Sequence, residues 1–423
     1  MSLVVTGWMR ASALAWLLCA LFAVQAQAAE DGITDHDILI GMSAPFKGTS
    51  ADLGRELYRG AMACFLDVNA NGGVHGRMIH VRAYDDGYQP QRTVTNTLQL
   101  LQTDHAFLLF GYVGTDAVER TLPILQKLQS TLLFFPLTGA EVQRRPPYDA
   151  LAFNLRASYR QETAGLVDHL VAVGHKRIAI FYQADAYGRS GWAGIQDALA
   201  KHELPIVGEA TYARGARYSD AFDRQVTILA AAHPDVIISI GAHAATAGFI
   251  RAARRAGLNV LIANISFNSG SSMLALLKAS STEDGRDYTQ ALINTAVVPA
   301  INHVELRAVR EYRALIDRYN PQPPFELAVS GEPTERYSAI GLEGFLDARL
   351  LVEILQRLGE HPTRAGLAAA AAGIHGLDLG AGFTTSFTQG RNQASDRIYY
   401  NATVGGQFQM IDDWGQFAVH GAK

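Results

Sequence analysis

From residue 37 onward the chain alternates short apolar runs with amphipathic stretches. Residues 37–42 read as a strand. In residues 51–70, Leu53, Leu57, Ala61, Cys64, Phe65 and Val68 fall on one helical face, with Arg55, Arg59 and Asp67 mostly elsewhere. Asn71-Gly72-Gly73 stops this helix with residues that tolerate left-handed backbone. Further strands are expected at 78–84, 107–110 and 132–135, with helical patterns near 90–103 and 114–129. Strand–helix–strand units of this length predict a parallel sheet covered on both faces.

The pattern then restarts. Ser158-x-x-Gln161 is a capping box opening a helix that Gly174 ends. Strands at 177–182, 206–211, 235–240 and 259–263 enclose helices near 188–202, 218–232 and 243–256. This series is too long to continue the first sheet and predicts a second α/β lobe. An apolar run at 291–299 and helical patterns at 303–319 and 338–358 follow. The tail, 383–411, alternates like antiparallel strands, Ala368–Ala372 reads as helix, and Asn320–Pro324 as a surface connection.

Composition narrows the class. The 423 residues are 48% hydrophobic and 18% charged, enough for more than one core. Residues 1–28 read as a cleaved secretory signal: Arg10, an apolar run from Ala11 to Val24 too short to span a bilayer, then Ala26-Gln27-Ala28. Without Arg10 the chain has 35 basic and 40 acidic residues, a net charge of −5. That mild negative charge, free of basic blocks, gives no footprint for nucleic acid or an anionic membrane. No later stretch reaches membrane length, so no direct membrane insertion is expected. Beyond the signal only Cys64 remains, on the apolar side of its helix, so stability rests on packing rather than a disulfide.

Several motifs, in this order and at these separations, carry a resemblance. They are Ile38-Leu-Ile-Gly-Met-Ser-Ala-Pro-Phe46, Gly54, Gly60-Ala61, Asn69-Ala-Asn-Gly-Gly-Val-His-Gly-Arg77, Tyr84-Asp85-Asp86 and Pro90, then Tyr182-Gln-Ala-Asp-Ala-Tyr-Gly188, Pro234-Asp235-Val236 and Arg251-Ala-Ala-Arg-Arg-Ala-Gly257. The chain resembles the type I periplasmic binding proteins of the leucine/isoleucine/valine-binding branch over nearly all its length beyond the signal. The resemblance implies two doubly wound parallel-sheet lobes joined by a three-segment hinge that closes on a ligand. The expected lobes are 33–152 plus 291–365 and 153–290 plus 366–413. The expected crossings lie near 153–156, 264–298 and 360–385.

In such sheets ligands sit beyond the carboxyl ends of strands. This selects Phe46, Tyr112, Gly114 and Thr115, and Thr138, Gly139 and Ala140 in the first lobe. Thr115 and Thr138 align with loops that hold the ligand's carboxylate and ammonium in relatives, although capping a helix is an alternative role. In the second lobe Tyr187 aligns with a cleft tyrosine, and Tyr159, His243 and Phe267 are further candidates. The resemblance also implies an acidic residue after strand 235–240, where Ala245 stands instead, so a zwitterionic amino acid is not the expected ligand unless His243 or a shifted acid substitutes. Gly87 replaces one of the paired cysteines that staple the first lobe of many relatives, and Leu53 an aromatic.

Catalytic chemistry finds little support. The 13 histidines form no metal-ligand spacing, and no nucleophile elbow, phosphate loop or dinucleotide fingerprint appears. Asp85-Asp86 reads as a pair of capping carboxylates rather than an acid pair. The expectation is a non-enzymatic, cofactor-free periplasmic monomer that passes a small organic solute to ABC importer permease subunits. A sensing module with a separate signalling partner and a carrier of an apolar, lipid-like cargo remain open.

Overall fold

The computed structural model describes residues 30–129, 131–328, 335–388 and 390–419; the expected signal, 1–28, lies outside them. Two sheets form two lobes. The first is wholly parallel, in the order β2-β1-β3-β4-β5: β1 Asp37–Ala44, β2 Met78–Asp85, β3 Leu108–Phe110, β4 Leu133–Phe134 and β5 Ala152–Phe153. Its helices are α1 Ala51–Ala70, α2 Pro90–Gln102 and α3 Thr115–Leu128.

The second sheet has the order β14-β13-β10-β9-β8-β6-β7. Its strands are β6 Ile178–Gln183, β7 Gly208–Tyr212, β8 Val236–Ile240, β9 Leu261–Asn264, β10 Leu292–Ala296, β13 Tyr399–Val404 and β14 Gln407–Met410. Two short strands, β11 Leu377–Asp378 and β12 Thr384–Thr385, pair antiparallel as a separate ribbon. The strands β6 to β10 run parallel, and β13 and β14 add an antiparallel edge. Helices α4 Tyr159–Ala172, α5 Ala186–Lys201, α6 Asp223–Ala231, α7 His243–Arg255 and α8 Gly270–Asp284 cover it. The central strand β8, Val-Ile-Ile-Ser-Ile, is buried along its whole length, as a strand covered on both faces must be. The Ser158–Gln161 capping box opens α4 as its sequence predicts.

Three points differ from the sequence expectation. Strand β10 pairs with β9 and β13, so residues 292–296 extend the second sheet instead of opening the return to the first lobe. The segment expected as the second crossing contains α8, which packs on the second lobe; it lacks a clean apolar stripe, and crossing begins only after Ala296. The chain then builds α9 Arg307–Tyr319 and α10 Ala339–Arg357 on the first lobe. Helix α11 Leu367–Ala372, with Ile374, Leu379 and Phe387, also joins the first-lobe core, so 366–387 does not belong to the second lobe. The last crossing lies beyond 360–385, where Asn392–Ser395 runs beside the first crossing: Asn154 N–H donates to the Asn392 carbonyl at 2.7 Å, and Ala394 N–H to the Asn154 carbonyl at 2.8 Å.

The first lobe depends on a close helix crossing. Gly60 on α1 abuts the Gly341 carbonyl of α10, and Gly344 abuts the Leu57 carbonyl, so a Cβ at either glycine would overlap backbone. Cys64 is a free thiol in this core, pushed up to about 12 by burial and therefore inert at neutral pH. Gly60→Ala would stabilise an unpacked helix by about 1 kcal/mol. Here it is expected to cost about 1–3 kcal/mol, because the backbones must separate. Urea unfolding of the two proteins checks the sign.

Candidate functional site

The carboxyl ends of both sheets face one another, and the loops between them build the cleft. In the first lobe two adjacent carboxylates shape it. Asp85 accepts hydrogen bonds from Phe46 N–H at 2.9 Å, Lys47 N–H at 3.2 Å and Gly87 N–H at 3.0 Å. Asp86, fully buried, accepts from the Ser43 hydroxyl at 2.9 Å, the Thr93 hydroxyl at 3.1 Å and Tyr88 N–H at 2.9 Å. Together they tie the β2–α2 loop to the β1–α1 loop, as a disulfide would, and hold Tyr88 at φ 61°, a left-handed backbone that a bulky residue adopts only when so constrained. Burial pushes the Asp86 carboxyl up to about 6 despite these donors.

Next along the sheet, Gly114 turns at φ 99° into α3, and a Cβ there would come 2.6 Å from the Tyr88 ring. The Thr115 and Thr138 hydroxyls pair at 2.8 Å, both fully buried, and Ala140 N–H donates to Thr138 at 3.2 Å. Neither threonine caps a helix by its side chain; Gly114 occupies the cap position of α3. Phe46 meets Tyr58 edge-on at 5.7 Å. Tyr112 turns away from the cleft: its hydroxyl lies 3.1 Å from that of Thr97, and its ring packs with Leu100, Val118 and Leu122. Its expected ligand role is therefore replaced by a core one, because the chain beyond β3 points it beneath α2 and α3.

The second lobe answers with rings. Tyr159 opens α4, Tyr187 stands in the first turn of α5, whose cap is Asp185, and Phe267 follows β9. Ring centroids lie 5.3 Å apart for Tyr159–Tyr187, 4.6 Å for Tyr187–Phe267 and 6.4 Å for Tyr159–Phe267; Tyr88 of the first lobe joins at 6.2 Å from Phe267. Tyr159 N–H donates to the Gly139 carbonyl at 2.6 Å, and a Cβ at Gly139 would lie 2.5 Å from the Tyr159 ring. The lobes thus meet where glycine removes the obstacle.

The hydroxyls of Tyr88, Tyr159 and Tyr187 are all buried without a hydrogen-bond partner; that of Tyr159 lies near Thr138 and that of Tyr88 near Gln183, neither completing a bond. Burial raises all three, Tyr159 to about 12, so each is a neutral phenol with a proton to donate. Unmet buried polar groups are costly, by about 1–3 kcal/mol each. Their convergence in one place marks the site.

Two guanidinium groups flank the rings. Arg214, beyond β7, lies over the Tyr88 ring at 4.7 Å and donates to the Tyr88 carbonyl at 3.1 Å. It also pairs with Asp116 of the first lobe and Asp185 of the second, latching one to the other. Arg156 lies 5.9 Å from the Tyr159 ring centroid. A further latch joins His243 Nδ1 to Asp52 Oδ2 at 3.1 Å, with the Ser272 hydroxyl donating to the same oxygen at 3.0 Å; Asp52 Oδ1 is buried without a partner.

Ala245 does not line the cleft. It is fully buried on the opposite side of α7, in the core with Phe181, Phe249 and Ile262, so it is not the place of a missing acid. Of the sequence candidates, the structure gathers Gly114, Thr115, Thr138, Gly139, Tyr159, Tyr187 and Phe267 at the cleft, places His243 at a latch, and leaves Tyr112 in the core. Sequence reasoning missed Tyr88, Asp52, Asp116, Asp185 and Arg214. Tyr88 carried a signal, its place just after Asp85-Asp86-Gly87, and so did Asp185, which lies within the Tyr182–Gly188 motif.

A family model for periplasmic binding proteins matches residues 37–406. A protein from Pseudomonas aeruginosa described as an amino acid binding protein is 26% identical over 235 residues, which span 54% of this chain and 60% of that one. A possible leucine/isoleucine/valine-binding protein from Rhodopirellula baltica has a crystal structure similar at TM-score 0.80 and 27% identity, covering 93% of this chain and 100% of that one. A substrate-binding periplasmic protein from Ralstonia solanacearum follows at TM-score 0.76 and 28% identity, covering 89% and 99%. The chain belongs to the periplasmic binding protein family, with the type I fold.

Asp86 supplies a pH test of the loop staple. Its folded value of about 6 exceeds its ordinary 3.8, so between these limits the folded chain holds a proton that the unfolded chain has released. Stability therefore falls as pH rises through this window, by up to about 3 kcal/mol. Asp86→Asn should remove that component: the stability difference between wild type and variant, from urea midpoints, should shift against wild type between pH 4 and pH 7. A difference that stays constant would show that Asp86 titrates normally.

Proposed function

We propose that this chain captures an apolar organic acid, aromatic or branched, that lacks a free ammonium, and delivers it to the permease of an ABC importer. The chain acts in the periplasm and performs no chemistry on its cargo. One observation carries the choice of cargo: three neutral phenol donors and the ring of Phe267 converge between the lobes, beside Arg156 and Arg214. The phenol donors favour an acceptor such as a carboxylate, and the rings favour an apolar body. The carboxylates nearest the rings, Asp116, Asp185 and Glu162, are already engaged by Arg214 or Arg156, so a ligand ammonium would enter without a free counter-charge. Family membership supports the transport role. Among the described residues no helix is long and apolar enough to cross a membrane.

Binding to the folded form raises stability by mass action, about 2.7 kcal/mol at a hundredfold excess over Kd. Phenylacetate and 4-methylvalerate are expected to raise Tm, whereas leucine, valine and phenylalanine are not. Tyr187→Phe should weaken binding of the acid about tenfold, the equivalent of one hydrogen bond, and raise the Tm of the ligand-free protein, which no longer buries an unmet hydroxyl. Tight leucine binding that disappears in Asp52→Asn would instead make Asp52 the ammonium partner and overturn this reading.

A further inference from the structure

A cavity of about 480 Å³ lies at the hinge edge of the molecule, beside the aromatic cleft: Ser266 and Asn268, which flank Phe267, both line it. Its walls come from both lobes and the crossing between them. Helix α8 supplies Leu274, the β13–β14 hairpin supplies Phe408, the segment after β10 supplies Val298 and Ile301, and the first turn of α10 supplies Ile340. These walls are chiefly apolar.

Among the described residues, the buried side-chain polar atoms of its lining that lack a hydrogen-bond partner are of one kind, amide oxygens. Asn268 and Asn294 are 1% and 7% exposed, and the side-chain oxygen of each is buried with no hydrogen-bond partner. Each amide nitrogen already makes one hydrogen bond, Asn294 donating to the Thr295 carbonyl at 2.8 Å and Asn268 to the Met273 sulfur at 3.5 Å. The atom left wholly unmet on each is the oxygen, an acceptor. Glu343, 3% exposed, also lines the cavity, and its contact with Arg156, at 3.5 Å, is an ion pair without hydrogen-bond geometry. Ser266, which lines the same wall, has its hydroxyl committed to Glu162 at 2.8 Å. Lys278 stands exposed at the mouth, where solvent screens its charge.

Two unmet amide oxygens and a loosely paired carboxylate, set in an apolar chamber, ask for a group with several donors, no acceptor and a positive charge. A primary ammonium has three donors and no acceptor. We infer that the hinge cavity is a second binding site, for a primary amine carried on a small apolar body. The occupant would touch both lobes and the crossing segment, so its binding is linked to hinge position, and the effect on the cleft is reciprocal.

The probe is phenethylammonium, titrated into the full-length mature protein and followed by protein-detected NMR and by crystal soaking. Saturable binding in the hinge cavity is expected, with neutral 2-phenylethanol at least about tenfold weaker. Glu343→Gln should weaken the amine about tenfold or more and leave 2-phenylethanol unchanged. Because Glu343 also meets buried Arg156, a second variant guards the test: Ala275→Trp, at an exposed position of α8 on the cavity wall, fills the chamber without touching the core. It should abolish phenethylammonium binding while phenylacetate binding at the cleft persists at whatever level wild type shows. The inference fails if wild type gives no saturable binding at millimolar probe, or if Ala275→Trp leaves the amine's affinity unchanged.

Discussion

Arg156 is the pin of the molecule. It lies in the first crossing segment, 2% exposed, and its guanidinium stands 3.7 Å from Glu162 of the second lobe and 3.5 Å from Glu343 of the first. Glu162 in turn accepts from Ser266 N–H at 2.9 Å and from Thr295, gathering the loop after β9 and the end of β10. A charge buried this deeply is tolerable only while its partners stay, and removing one partner of such a pair costs about 3–5 kcal/mol. The network therefore fixes where the hinge can bend. Both lobes pivot about a point whose charges cannot separate, and motion is left to the loops farther out. Behind it Asp347 is held well above the ordinary carboxylate range, by burial first and then by the charge of Glu343.

The architecture was legible because it rests on periodic signals. The central strands are apolar throughout, the helices carry one apolar stripe, and Ser158-x-x-Gln161 opens a helix in the structure as in the sequence. Helix α8 escaped because its buried residues, Met273, Leu274 and Leu277, are too few to outline a face among serines. Strand β10 was assigned to the wrong lobe for a different reason. Its partner β13 lies about a hundred residues later, and pairing at that distance leaves no local trace. The cleft divides the same way. Tyr159 and Tyr187 sit beside helix starts, where position predicts exposure to the cleft. Arg214 lies between Ala213 and Gly215 with nothing to mark it, and gains its role only when Tyr88, Asp116 and Asp185 arrive from elsewhere.

The reasoning about Ala245 shows how a one-dimensional alignment misleads. A residue at the start of a helix has one face toward the cleft and the other toward the core, and a shift of two positions exchanges them. His243, two residues earlier, takes the cleft side and meets Asp52 across it, while Ala245 packs on Phe249 and its neighbours. The case against an ammonium therefore rests on what surrounds the phenols, and on no missing side chain.

The aromatic cluster also sets the terms on which closure responds to ligand. In the closed arrangement Tyr88 of one lobe already meets Phe267 of the other, and Arg214 spans both. These contacts stabilise closure before any cargo arrives, while the unmet phenol hydroxyls oppose it. A ligand that satisfies the hydroxyls removes the opposing contribution without needing to supply the whole closing free energy, and it can shift the equilibrium only by the difference in its affinity for the two forms. An apolar solute that fails to reach those hydroxyls would trade ring–ring contact for ring–ligand contact and gain little. With the cargo proposed above, discrimination by the cleft would reside in the acceptor the ligand carries, and its apolar body would determine mainly whether it fits.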